Sequence, residues 1–158
     1  MKKILFVCLL TFVGLSCDKD EPQEEGAPIE KLAGMESKKW KLSSATAWSG
    51  ALSLDLVQNS PNRCLGDNEL TLRADGSYLL EDTGVRCSGV DKVEGQWLLN
   101  ESPLQVSLDE ISLMGRRFTD VVLDVTVLKN NSFSGTIHNV PENELNVNKI
   151  ELVFTVME

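Results

Sequence analysis

Leu70-Thr71-Leu72-Arg73-Ala74-Asp75-Gly76-Ser77-Tyr78-Leu79-Leu80 decides the fold class. Leu70, Leu72 and Ala74 alternate with Thr71 and Arg73, and Tyr78 and Leu80 resume the alternation beyond Asp75-Gly76. A period of two belongs to a strand with one buried face, because successive side chains of an extended chain point to opposite sides. Asp-Gly between two such runs predicts a β-hairpin with a two-residue type I′ turn, since Gly accepts the positive φ that this turn requires.

The same period recurs outward from this hairpin. Trp97 and Leu99 lie on one face of the run from Val93, and Val106 and Leu108 on one face of the run from Leu104. Between Phe118 and Leu128, Val121, Leu123, Val125 and Val127 oppose Asp124 and Thr126. Asn130-Asn131 predicts a turn. Phe133, Gly135 and Ile137 then share a face, as do Ile150, Leu152, Phe154 and Val156 near the end of the chain. One alternate set must face the core. That set is Leu70, Leu72, Tyr78, Leu80, Trp97, Val106, Leu108, Leu123, Val125, Phe133, Ile137, Leu152 and Phe154; Val122, Asp124, Thr126, Glu151 and Thr155 are expected to point outward. Repeated short strands with turn signals between them predict an all-β antiparallel meander. Helical spacing occurs only between Ile29 and Lys39, where Ile29, Leu32, Ala33 and Met35 form a short stripe ahead of a strand at Trp40 to Ser44.

The first residues read differently. Lys2 and Lys3 precede an uncharged run from Ile4 to Leu15, then Ser16 and Cys17. A basic start, a short apolar run and a small residue make a secretory signal peptide. The uncharged stretch of 13 residues falls short of the roughly 20 that a spanning helix needs. Val13-Gly14-Leu15-Ser16-Cys17 resembles a lipobox, the motif at which bacterial lipoproteins are cleaved and acylated, with Gly14 where Leu is commoner. The resemblance implies a signal peptide at residues 1–16, lipidation of Cys17 as the new N-terminus, and attachment to a membrane through acyl chains. Two or three such chains hold stably, at about 0.8 kcal/mol per buried CH₂, where one holds only marginally. Asp18-Lys19-Asp20-Glu21 resembles the export signal that carries some Gram-negative lipoproteins to the outer face of the outer membrane; a solvated linker is the competing reading. Residues 17–28 are expected to form a flexible acidic tether, and residues 29–158 one domain of ordinary size.

Loss of Lys2 and Lys3 with the signal leaves 13 basic residues against 24 acidic ones and moves the formal charge from −9 to −11. Such a charge argues against nucleic acid as a partner and against electrostatic docking on anionic lipid. With Cys8 removed and Cys17 lipidated, Cys64 and Cys87 remain. An even pair in an exported chain reads as a disulfide. It closes a loop of about 24 residues around the Leu70–Leu80 hairpin, worth roughly 3.4 kcal/mol in the loop-entropy model.

Several of these features together resemble the lipocalin-like domain of bacterial lipoproteins over nearly all of residues 29–158. They are a short helix ahead of Trp40, Cys64-Leu65-Gly66-Asp67 before a strand, Asp75-Gly76-Ser77-Tyr78, the second Cys, and Gly95-Gln96-Trp97. The chain departs from that pattern in a long insert at Ser49 to Arg63. The resemblance implies that the sheet closes into an up-and-down barrel, and closure also removes exposed sheet edges.

Trp40, Trp48, Tyr78, Trp97, Phe133 and Phe154 are candidates to line a ligand cavity, with core filling as the competing role. Trp48 lies outside a clear strand pattern and is the candidate for a barrel mouth or cap. Asp67, Asn68, Glu69 and Asp75 lack the spacing of a calcium loop and read as turn residues. His138 reads as a surface turn residue, and no Gly-x-Ser-x-Gly supports a nucleophile elbow. No catalytic, metal or cofactor set is assigned. The expectation is a non-enzymatic envelope lipoprotein that holds a small apolar or amphipathic ligand; the alternative is a filled barrel acting as an interaction module with another envelope protein.

Overall fold

The computed structural model describes residues 26–87, 92–113, 116–138, 140 and 146–157, with the side chain of residue 62 left aside. The expected signal peptide, Cys17 and the expected tether up to residue 25 lie outside the described residues. The elements run α1 (Pro28–Ala33), β1 (Ser37–Ser49), β2 (Leu52–Asp55), α2 (Leu56–Asn59), a 3₁₀ helix (Pro61–Asp67), β3 (Glu69–Arg73), β4 (Ser77–Glu81), β5 (Lys92–Glu101), β6 (Leu104–Leu113), β7 (Arg116–Leu128), β8 (Ser132–Ile137) and β9 (Lys149–Val156). Each strand from β3 to β8 pairs antiparallel with the next, β1 pairs with β3, and β1 also pairs with β9. The result is a closed antiparallel barrel of eight strands, with β2 attached outside the ring along the end of β1.

The inward set read from the alternation is the observed core. Leu70, Leu72, Tyr78, Trp97, Val106, Leu108, Leu123, Phe133, Ile137, Leu152 and Phe154 are all buried, and Leu80 and Val125 pack against them half-buried. Val122, Thr126 and Thr155 are exposed; Asp124 and Glu151 are half-exposed. Two bulges interrupt the alternation. The β7–β8 register passes from Val125↔Gly135 to Val127↔Ser134, so Thr126 is an extra residue. Val127, expected on the face of Leu123, is therefore turned outward, and Leu128 packs inward opposite Phe133. In β1 the extra residue is Ser43, so Trp40 and Leu42 face inward before it, and Ala45 and Ala47 after it.

Three other expectations change. The Asp75-Gly76 hairpin is not a two-residue type I′ turn. Gly76 donates its N–H to the Arg73 carbonyl at 3.1 Å, and Gly76, unlike Asp75, has positive φ. The loop is a turn followed by a left-handed glycine. Asp75 sets it by accepting from the Ser77 N–H at 2.9 Å and from the Ser77 hydroxyl at 2.7 Å. The helix starts at Pro28 and stops at Gly34, whose φ of 65° ends it, so Leu32 and Ala33 are buried while Met35 is 96 % exposed. The first strand is much longer than Trp40 to Ser44. The insert after it folds as β2, α2 and the 3₁₀ helix, and its Leu56, Val57 and Leu65 join the core.

The half of the barrel nearer α1 is filled by large side chains. The Trp40 ring meets Phe133 edge to face at 4.8 Å, and Phe133 stacks on Phe154 at 4.7 Å. Tyr78 crosses the sheet. Opposite it on β5 is Gly95, where an added Cβ would lie 2.8 Å from the Tyr78 ring. The missing side chain lets the Tyr78 hydroxyl reach β6, where it donates to the Glu110 carbonyl and accepts from the Glu110 N–H at 2.9 Å. The β5–β6 ladder ends at Trp97↔Leu108, so the Tyr78 hydroxyl replaces the strand partner that Glu110 lacks. Gly95→Ala is expected to lower stability by about 1–3 kcal/mol through overpacking against a ring fixed at both ends, read as a lower denaturant midpoint at unchanged slope. An unaltered midpoint would show that the ring is free to move.

Candidate functional site

The barrel interior is the first candidate. Its open space lies in the half away from α1, between Leu42, Leu70, Leu80, Val106, Leu123 and Phe154, with Ile111 and Leu113 of the β6–β7 hairpin and Asn68 of the 3₁₀ helix end also on its wall. The lining is apolar apart from Asn68. The cavity volume is about 30 Å³, room for one or two waters and far below the roughly 300 Å³ of a ligand pocket. Asn68 is 5 % exposed and its Oδ1 has no hydrogen-bond partner among the described residues. A buried acceptor left this way costs about 1–3 kcal/mol.

Of the six aromatic residues singled out from the sequence, Phe133 and Phe154 line this space. Trp40, Tyr78 and Trp97 are buried outside it with their polar atoms satisfied by backbone: Trp40 Nε1 donates to the Leu32 carbonyl at 2.8 Å and Trp97 Nε1 to the Arg73 carbonyl at 2.9 Å. Trp48 is placed on the outer wall rather than at a mouth. Its Nε1 donates to Glu151 Oε2 at 2.9 Å, and the Lys149 ammonium sits 4.6 Å from its ring centroid. The Lys149 hydrogen bond, and after it that of Trp48, hold the Glu151 carboxyl below the usual range.

Cys64 and Cys87 form a disulfide, with Cα atoms 5.0 Å apart. It ties the 3₁₀ helix to the loop after β4. The acidic residues beside it serve that loop. Asp67 Oδ2 accepts from the Val85 N–H at 2.7 Å, and Asp82 Oδ2 from the Cys87 N–H at 2.8 Å. Gly84, at φ 69°, passes so close that a Cβ there would lie 2.6 Å from Asp67 Oδ2. Asp67 is thus a loop anchor, while Asn68 is buried on the slot wall and Glu69 opens β3 rather than lying in a turn. Among the described residues no group of three His, Cys, Asp or Glu side chains is placed to hold a metal, and no helix is long and apolar enough to cross a membrane.

His138, read from the sequence as a turn residue, belongs to a network. Its Nε2 lies 3.2 Å from Asp124 Oδ2, while Asp124 Oδ1 accepts from Gln105 Nε2 at 2.7 Å. Residues 105, 124 and 138 are far apart in the chain, and only the β6–β7–β8 register joins them. The one available signal was that Asp124 falls on the outward face of its strand.

No protein-family model matches the chain, and none of the curated proteins matches it.

Burial raises the Tyr78 phenol above its ordinary value of 10.0, with the nearby Asp109 and Glu110 carboxylates adding to the effect against the Glu110 hydrogen bond. Folding therefore favours the neutral phenol. That stabilisation is complete below about pH 10 and is lost as the pH rises through the folded value. Tyr78 is the chain's single tyrosine, so ultraviolet titration of tyrosinate reports it alone. A midpoint above 10 in the folded protein, returning to about 10 in denaturant, is the expected result.

Proposed function

We propose that this chain is a lipid-anchored envelope lipoprotein whose lipocalin-like barrel is a filled, rigid module that works by surface recognition. The observation that carries the filled barrel is the interior volume of about 30 Å³. Eight-stranded antiparallel closure, a short helix ahead of the first strand, Trp40 in that strand and the Gly95–Trp97 element beside Tyr78 support the lipocalin-like reading. The anchor rests on the lipobox-like Val13 to Cys17. Attachment through Cys17 places a compact domain at the membrane surface on an acidic tether, where its outer wall meets other envelope proteins. A second reading, a slender apolar ligand with a donor head group, is favoured by the unpartnered Asn68 Oδ1 on the slot wall.

Two experiments test these readings. Native mass spectrometry of the protein purified from membranes is expected to give the polypeptide from Cys17 onward plus acyl groups, with no other small molecule; Cys17→Ala is expected to abolish both the acyl mass and membrane attachment. A stoichiometric extra mass would favour the second reading, and membrane attachment that survives Cys17→Ala would remove the anchor. Asn68→Leu is expected to raise stability by about 1 kcal/mol or more, because it removes an unsatisfied buried acceptor and fills an apolar slot. A loss of stability would show that Asn68 has a bound partner.

A further inference from the structure

A second concavity lies between β7 and the end of β8, sharing Val121 and Ile137 with the wall of the interior slot, and its volume of about 290 Å³ exceeds that of the slot nearly tenfold. Strand lengths create it. The β6–β7 ladder continues to Leu113↔Arg116, whereas the β7–β8 ladder starts at Asp124↔Thr136 and β8 stops at Ile137. The hairpin of β6 and β7 therefore projects past the end of β8, and among the described residues a cleft remains beside it. Phe118, Val121 and Ile137, each under 10 % exposed, line it together with the rim groups Asp120, Asp124, His138 and Gln105. No Lys or Arg lines it among the described residues.

The rim offers acceptors and negative charge. Both Asp124 oxygens are engaged, one by Gln105 and one by His138. In the neutral imidazole the contact to Asp124 uses the Nε2–H and leaves Nδ1 as an acceptor. Gln105 spends an N–H on Asp124 and keeps its carbonyl oxygen. Asp120 is exposed, sits at φ 52°, and has no hydrogen bond or ion pair among the described residues. An anion would meet two carboxylates here. A neutral alcohol would supply one donor to several acceptors. An apolar body is needed to cover the floor.

We propose that this cleft binds a small amphipathic cation, a primary ammonium on an apolar body, with the ammonium between Asp120 and His138 and the body over Phe118 and Ile137. The proposal needs neither a ligand in the interior slot nor the anchor, so its test is independent of both.

The test is an NMR titration of the purified protein with three probes of one shape: 2-phenylethylamine, 2-phenylethanol and phenylacetate. The amine is expected to shift the His138 ring and the Val122 amide saturably, the alcohol to bind roughly three- to tenfold more weakly, and the acid not to bind. Asp120→Asn keeps a residue type that tolerates the left-handed backbone and is expected to weaken the amine by a similar factor. His138→Ala, at a side chain 59 % exposed and so without effect on folding, is expected to weaken it as well. Equal affinity for amine and alcohol, amine binding unchanged by Asp120→Asn, or no binding of the amine would each overturn the proposal.

Discussion

The ladder between β1 and β9 is the constraint on which the rest of the barrel depends. It joins Trp40–Trp48 to Lys149–Val156, the two ends of the folded chain, and without it both strands would present open edges. Side chains reinforce the seam from inside. Leu42 lies opposite Phe154, Phe154 opposite Phe133 on the next strand, and Trp40 stands edge-on to Phe133. Closing the ring loses conformational freedom over more than a hundred residues, and burial of this aromatic group offsets part of that cost. Closure at eight strands also fixes the radius. An eight-stranded ring is just wide enough for side chains to fill, and here they nearly do.

Space has to be made for the largest of them, and two glycines make it. Gly95 lets the Tyr78 ring cross β5. Gly135 gives way to Leu123, whose Cγ would lie 2.5 Å from an added Cβ. The first of these has a consequence at a distance. Tyr78 satisfies the Glu110 backbone where β6 has parted from β5, so β6 and β7 can run on as a free hairpin without leaving that group unpaired. In both strands the inward phase shifts between Leu108↔Val121 and Ile111↔Phe118, and Asp120 takes up a left-handed conformation at the shift. The hairpin tip thereby turns Ile111 and Leu113 toward the interior slot, while Phe118 lines the cleft beside the end of β8.

The opposite wall is held differently. The insert after β1 is too short to bury a core of its own. Leu56, Val57 and Leu65 bury into the barrel, and the Cys64–Cys87 bond ties the insert to the loop after β4. Asp67 and Asp82 supply acceptors to the Val85 and Cys87 N–H groups, which lie outside any strand.

Much of this was legible from residue order. Alternation is a local property, so the strands, their inward faces and the pairing of Cys64 with Cys87 followed from the residues themselves. Val127 was misplaced because a bulge is a relation between two strands, and Thr126 carries no mark of being extra. The Asp75-Gly76 turn was read one residue short because the same dipeptide suits two loop lengths, and strand register selects between them. Candidate aromatic residues scattered to core, slot and outer wall because residue type sets only that a ring is buried, not which neighbours complete its packing. Residue order alone specifies an all-β chain with one buried face per strand, because period two needs no knowledge of partners. The volume left inside the ring, the Asn68 Oδ1 without a partner among the described residues, and the meeting of Gln105, Asp124 and His138 arise only on folding, because each depends on which strands lie side by side and where each one ends.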